Sequence, residues 1–219
     1  MSDPGKFPSP LREGAVQLRA VTLRGEAAKR YADLASVLTD LRLAIRCCEH
    51  LAAALEKYDR ENPQPDEDLR VESLWTTALV VYVRAFAGGR RQGLSKDIFD
   101  QIGRGTREVH EWAANMRDKR IAHAVNPFEQ VRAIGLLSAD ATEVHGVANV
   151  GMRHIAPGDG AEALATLARL VHDAVIPIAD EAGIALEHEL AALDEEELRR
   201  LPLHEWTVPA PEEAGRVRD

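Results

Sequence analysis

The chain has 219 residues, 45% of them hydrophobic and 29% charged, and carries a net charge of −9. These proportions suit one large globular domain or two small ones and exclude disorder throughout. The acidic balance also opposes strong nonspecific binding to nucleic acid, because a polyanion meets a repulsive average field.

Met1 to Pro10 contain one lysine and no apolar run of the signal-peptide kind, and no stretch reaches the roughly 20 apolar residues of a membrane span. The expectation is a cytoplasmic protein with no membrane partner, in which residues 1–25 form an N-terminal extension. The first predicted element runs from Glu26 to Arg60, where Tyr31, Leu34, Leu38, Leu41, Ile45, Cys48, Ala52 and Leu55 recur at steps of three and four with Leu51 alongside. That periodicity predicts a long amphipathic helix. Its cysteines, Cys47 and Cys48, are adjacent in a helical pattern and point about 100° apart, which disfavours pairing with each other and reads as reduced core thiols. Asn62-Pro63-Gln64-Pro65 stops this helix. The next, Asp66 to Ala87, is apolar nearly all round between Leu74 and Val83 and belongs in the middle of a bundle.

Gly88-Gly89 ends that central helix. Ser95 can cap a short helix through Ile102, and Thr106 can cap another that carries Val109, Trp112, Ala113 and Met116 on one face and finishes by about Val125, before Asn126-Pro127. The pattern then changes to β-favouring stretches, Val131 to Leu137 and Val144 to Ile155, around the turn-like Ser138-Ala139-Asp140-Ala141, which predicts a β-hairpin. After Pro157-Gly158-Asp159-Gly160, Ala161 to Leu193 reads as a long helix with Pro177 as its kink. The tail from Pro202 to Asp219 is expected to be loosely ordered. The fold expected is therefore mainly α, a helical bundle over residues 26–201 with a small β-hairpin insertion at about 131–155 and a flexible tail at 202–219.

Charge is unevenly spread. Between Arg84 and Arg120 nine Lys and Arg accompany five Asp and Glu, a local +4, against −13 for the remainder. Such a basic island suits an anionic ligand, or else a solvated helix face of mixed charge. Arg84 is a charge inside the apolar run Leu79 to Phe86, so it is either paired with a carboxylate or aimed at a pocket, pairing being the preferred reading. Gly88-Gly89-Arg90-Arg91-Gln92-Gly93 is glycine-rich and basic and could cradle phosphate; simple helix termination explains it as well. The chain has no GxxxxGK(S/T) phosphate loop, no GxSxG elbow, no HExxH and no cysteine-histidine set with zinc spacing, so no cofactor and no metal site are expected.

The segment Met116 to Phe128 reads MRDKRIAHAVNPF. An arginine followed at once by a polar residue, with a histidine six positions after the arginine, resembles the R-x4-6-H motif of the HEPN superfamily (higher eukaryote and prokaryote nucleotide-binding domains). It follows an apolar helix in an all-α setting, and the resemblance covers roughly Glu26 to Pro127 and part of the last long helix. The hairpin departs from a minimal HEPN bundle. The resemblance implies a homodimer in which the motifs of two protomers meet in a shared cleft and, in active members, metal-independent cleavage of RNA. Carried over, Arg117 is the motif arginine, Asp118 its polar neighbour and His123 the motif histidine, with Arg84, Arg90, Arg91, Lys119 and Arg120 as candidate substrate-binding residues.

On a regular helix Arg117 and His123 are about 120° apart around the axis and about 9 Å apart along it. A composite cleft between two chains removes that difficulty, since one protomer's arginine can serve the other's histidine. Without the family resemblance, His123 is simply a residue at a helix C-terminus, favoured by the macrodipole when charged. Two functions are weighed: an endoribonuclease of a bacterial toxin or defence type, with RNA as substrate and an antitoxin or other protein as partner, and a noncatalytic HEPN-like module that binds protein or nucleotide. A small-molecule hydrolase using His110 and Glu111 rests on adjacency alone.

Overall fold

Two long helices frame the molecule. The computed structural model describes residues 18–59, 62, 64–89, 91–121, 129–153, 158–205 and 212, with backbone alone at 120–121, 129–131, 152–153 and 158. α1 (Glu26–Leu55) and α5 (Gly158–Ala191) pack along each other. They run antiparallel: near the end of α1 Glu49 pairs with Arg169 at 2.8 Å, and near its start the Tyr31 ring lies against Gly183. A Cβ on Gly183 would stand 3.1 Å from the Tyr31 ring, so the close approach favours glycine. The expected seam of α1 is present but wider. Leu38, Leu41, Cys48 and Leu51 are buried and Leu34, Ile45 and Leu55 pack against the core, with Val37, Ala44 and Cys47 buried beside them, whereas Tyr31 is 43% exposed and Ala52 is exposed. The reason is that α1 is covered by both α2 and α5, and the buried stripe follows the line between them.

α2 (Pro65–Arg84) begins with proline in its first turn and has Asp66, Glu67 and Asp68 there, all suited to a helix N-terminus. The Tyr58 hydroxyl donates to Asp68 and ties this turn to the end of α1. No residue from Leu74 to Val83 is exposed, as the apolar run predicts. Trp75, Leu79 and Tyr82 are fully buried, each contributing about 2 kcal/mol or more by removal from water. Cys47 and Cys48 are free and buried, and burial pushes the Cys48 thiol up to about 12, so neither is a poised nucleophile.

A 3-10 turn (Lys96–Ile98) precedes the short α3 (Phe99–Ile102), with Ser95 accepting from the Asp97 amide as its cap. Thr106 does not cap α4 (Thr106–Met116); Gly105, at φ 81°, is the cap residue, and the Thr106 hydroxyl donates back to the Gly103 carbonyl. α4 returns along α2, because His110 packs beside Tyr82 and Phe86 while Trp112 meets Trp75. It does not continue as a regular α-helix to Val125: a π turn, Arg117–Ile121, follows Met116.

The expected hairpin is present. β1 (Glu129–Leu137) and β2 (Val144–Arg153) pair antiparallel, Ile134 opposite Ala148, with an irregularity at Leu136/Leu137. Ser138 Oγ accepts from the Thr142 and Glu143 amides and closes the turn. Pro177 lies inside α5, which continues past it to Ala191. α6 (Glu195–Arg200) was not foreseen; Asp194 and Glu197 form a reciprocal capping box at its start. The start of the tail is also tied down rather than loose: Leu203 bridges to Val21, and the His204 amide donates to the Ala20 carbonyl at 3.0 Å. No helix among the described residues is long and apolar enough to cross a membrane.

Candidate functional site

The candidate site residues of the basic island fall into two groups on different parts of the bundle, with Arg107 apart from both and paired with Asp100. The first forms at the C-terminal end of α2. Arg84 Nε and Nη2 donate to the two Asp40 carboxylate oxygens at 3.0 and 2.5 Å, a bidentate pair reaching across to α1. From the loop beyond, Arg91 Nη1 donates to Asp40 Oδ2 at 2.7 Å and Ser36 Oγ at 3.0 Å, and its Nη2 donates to the Arg84 carbonyl. Burial pushes the Asp40 carboxyl up, but hydrogen bonds and charge from Arg84 and Arg91 outweigh it and hold the group below the usual carboxylate range. Asp40 also raises Arg84 further above its ordinary value.

The glycine loop is built to allow this. Gln92 donates its amide to Asp33 and Leu94 its amide to the Ala85 carbonyl, folding the loop back on the helix end. A Cβ on Gly93 would sit 2.6 Å from the Ala87 oxygen, so glycine is required there. Arg84, Arg91, Asp40, Ser36, Gly88 and Gly89 line an open depression of about 510 Å³. Arg84 is both paired and pocket-lining: its side chain stays 54% exposed, while Asp40 is 7% exposed. Two guanidiniums against one carboxylate leave the lining with one net positive charge. Arg90 lies outside the described residues.

His110 occupies the opposite environment. It is 2% exposed, shares a 3.1 Å hydrogen bond with the Tyr82 hydroxyl, and has the Phe86 and Phe99 rings at 4.5 and 4.7 Å. Burial, reinforced by Lys96 and Arg107, lowers its pKa to about 4, and burial drives the Tyr82 phenol up. Glu111 is exposed. A hydrolase built on His110 and Glu111 is therefore ruled out by packing: one side chain is sealed among aromatic rings and its neighbour faces water.

The second basic group is the motif segment at the far end of α4. Since α4 runs back along α2, Arg117 lies towards the start of α2, away from Arg84 and Arg91. The two groups are not brought together within this chain. Arg117 Nη1 lies 3.0 Å from Asp118 Oδ1, with the two side chains 37% and 55% exposed, and Lys119 is exposed. Arg120 belongs to the π turn by its backbone. The Arg120 side chain and His123 lie outside the described residues. No cluster of three metal-ligating side chains occurs among the described residues.

Compared with known protein families, with curated proteins and with solved structures, the chain matches none. What it can do must be argued from these side chains. The residues that sequence reasoning missed are Asp40, Ser36 and Asp33, all partners of the glycine loop. A signal was available: Asp33 and Asp40 interrupt the apolar pattern of α1, and a carboxylate on a buried stripe is the natural counterpart of an arginine inside an apolar run.

Proposed function

We propose that this protein is a HEPN-like homodimeric ribonuclease that cuts RNA without a metal ion, using Arg117, Asp118 and His123. The observation that supports the reading is the π turn at Arg117–Ile121. The Arg117 amide still donates to the Ala113 carbonyl, but the α-helix gives way to a π turn from this residue, although Arg-Asp-Lys-Arg-Ile contains no glycine or proline to break a helix. Such turns recur at functional sites, where they re-aim side chains. Here the turn holds a half-exposed guanidinium beside a carboxylate that limits its freedom.

In the proposed reaction the His123 imidazole takes the proton of a ribose 2′-hydroxyl. The 2′-oxygen bonds to the adjacent phosphorus, and the bond to the 5′-oxygen breaks. The leaving oxygen takes a proton from water, to which the His123 imidazolium returns the one it gained, giving a 2′,3′-cyclic phosphate and a 5′-hydroxyl. Arg117 stabilises charge on the phosphorane oxygens, and Asp118 positions Arg117. Lys119 and Arg120 would hold flanking phosphates.

A second reading, a noncatalytic HEPN-like module, draws on the Asp40–Arg84–Arg91 depression. That site is preorganised and basic yet lies apart from the motif, as a binding pocket for a nucleotide or a protein's acidic group would. Incubation of structured RNA with the protein in EDTA, alongside His123→Ala and Arg117→Ala, separates the two. Cleavage by the native protein and its loss in both variants is expected. Equal cleavage in all three samples would remove His123 from the mechanism, and absence of cleavage throughout would favour the binding module.

A further inference from the structure

Exposed apolar residues occur singly on the helices, but on the hairpin they are concentrated in one element. None of its described side chains from Arg132 to Gly151 is buried, although Ile134, Leu136, Leu137, Val144, Val147 and Val150 are large and apolar. The register places Ile134, Leu136, Ala148 and Val150 on one face and Leu137, Val144 and Val147 on the other. Neither is the polar, solvated face that an antiparallel sheet turns to water. A lone two-stranded hairpin is marginal in water, and a third or fourth strand supplies what it lacks. Among the described residues no further strand joins either edge.

The two edges differ. β1 contains Glu129 and Arg132, charges of the kind that keep an edge unpaired. β2 has no Lys, Arg, Asp or Glu from Val144 through Met152. The whole hairpin, residues 129–153, holds two arginines and three carboxylates and is nearly neutral, in a chain of net charge −9. Two copies of this chain repel each other through most of their surface, and least through the hairpin. Identical strands paired antiparallel are related by a two-fold axis, which closes the assembly at two. A strand without charges has none to set against its own copy.

We propose that β2 pairs antiparallel with β2 of a second copy, joining the two hairpins into a four-stranded sheet. This goes beyond the ribonuclease reading and does not rest on it, because the strand pairing forms whether or not RNA is cut; the strands hold the dimer, and the composite cleft of that reading would share their two-fold axis. The test is sedimentation equilibrium of the full chain up to about 100 μM, where mass action favours association. The native protein is expected to be a dimer and Val147→Lys/Val150→Lys a monomer with an unchanged helical circular-dichroism spectrum. Leu69→Lys, a charge added at an exposed position on α2, should remain a dimer. A native monomer at that concentration would overturn the proposal, as would a dimer that survives both lysines. If the double variant loses its helical signal, Val147→Lys alone is held to the same criteria. A dimer that resists the lysines yet cuts RNA would remove strand pairing and keep the composite cleft; a strand-paired dimer that cuts nothing would do the reverse.

Discussion

Lowering the pH from 7 to 5 is expected to cost the folded protein about 2 kcal/mol through one side chain, His110. In the folded state its pKa is depressed to about 4 from the ordinary 6.5, because the imidazole is 2% exposed and boxed by Tyr82, Phe86 and Phe99. The unfolded chain therefore binds more protons across that window. Stability from a neutral buried imidazole is fully present above pH 6.5, falls as the pH drops through the window and levels off below about 4, where the total loss reaches about 3 kcal/mol. Asp40 acts lower down. Its depressed carboxyl contributes stability above its unfolded value of 3.8 and loses it only as the pH falls further. Urea titrations followed by circular dichroism at pH 7, 6, 5 and 4.5 should show the slope in the native protein and its absence in His110→Gln, which cannot titrate. A variant with the same pH dependence as the native protein would refute the reasoning, as would a His110 imidazole resonance titrating near 6.5.

Two further outcomes follow from the glycine loop. Asp40→Asn leaves Arg84 and Arg91 facing each other without their shared carboxylate; since Arg84 is half hydrated, a loss of about 1–3 kcal/mol is expected in urea unfolding, larger than for Arg84→Gln. Gly93→Ala places a methyl against the Ala87 carbonyl and the Phe86 backbone, and the loop must shift, at about 1–3 kcal/mol and with faster exchange of the Leu94 amide that now donates to Ala85.

The long helices and the hairpin were legible because their signals are local. A 3.6-residue period, the Asn62–Pro65 break and the β-favouring stretches after Val131 each speak for their own segment. The extra width of the α1 stripe, at Val37, Ala44 and Cys47, was not legible, since it depends on two neighbours covering the helix at once. α6 could have been found: Asp194-Glu195-Glu196-Glu197 is a capping-box sequence. The partner of Arg84 required matching two anomalies 44 residues apart, a carboxylate on one apolar stripe and a guanidinium in another. The π turn has no composition signature at all, because Arg-Asp-Lys-Arg-Ile is an ordinary helical run and only the helix's surroundings can widen it.

The junction of residues 20–22 with 202–204 carries a practical consequence. The Thr22 amide donates to Pro202 and the His204 amide to Ala20, and Arg19 Nη2 donates to the Arg199 and Leu201 carbonyls that end α6. Both flanks of the bundle thus leave from one spot, so a short linker could join them while new ends are opened at the exposed Ala139–Asp140 tip. A circular permutant of that design leaves every helix uncut and places α5 and α6 before α1. It also frees the two strands from each other's turn, which would make their pairing a matter of choice for the chain rather than of tethering.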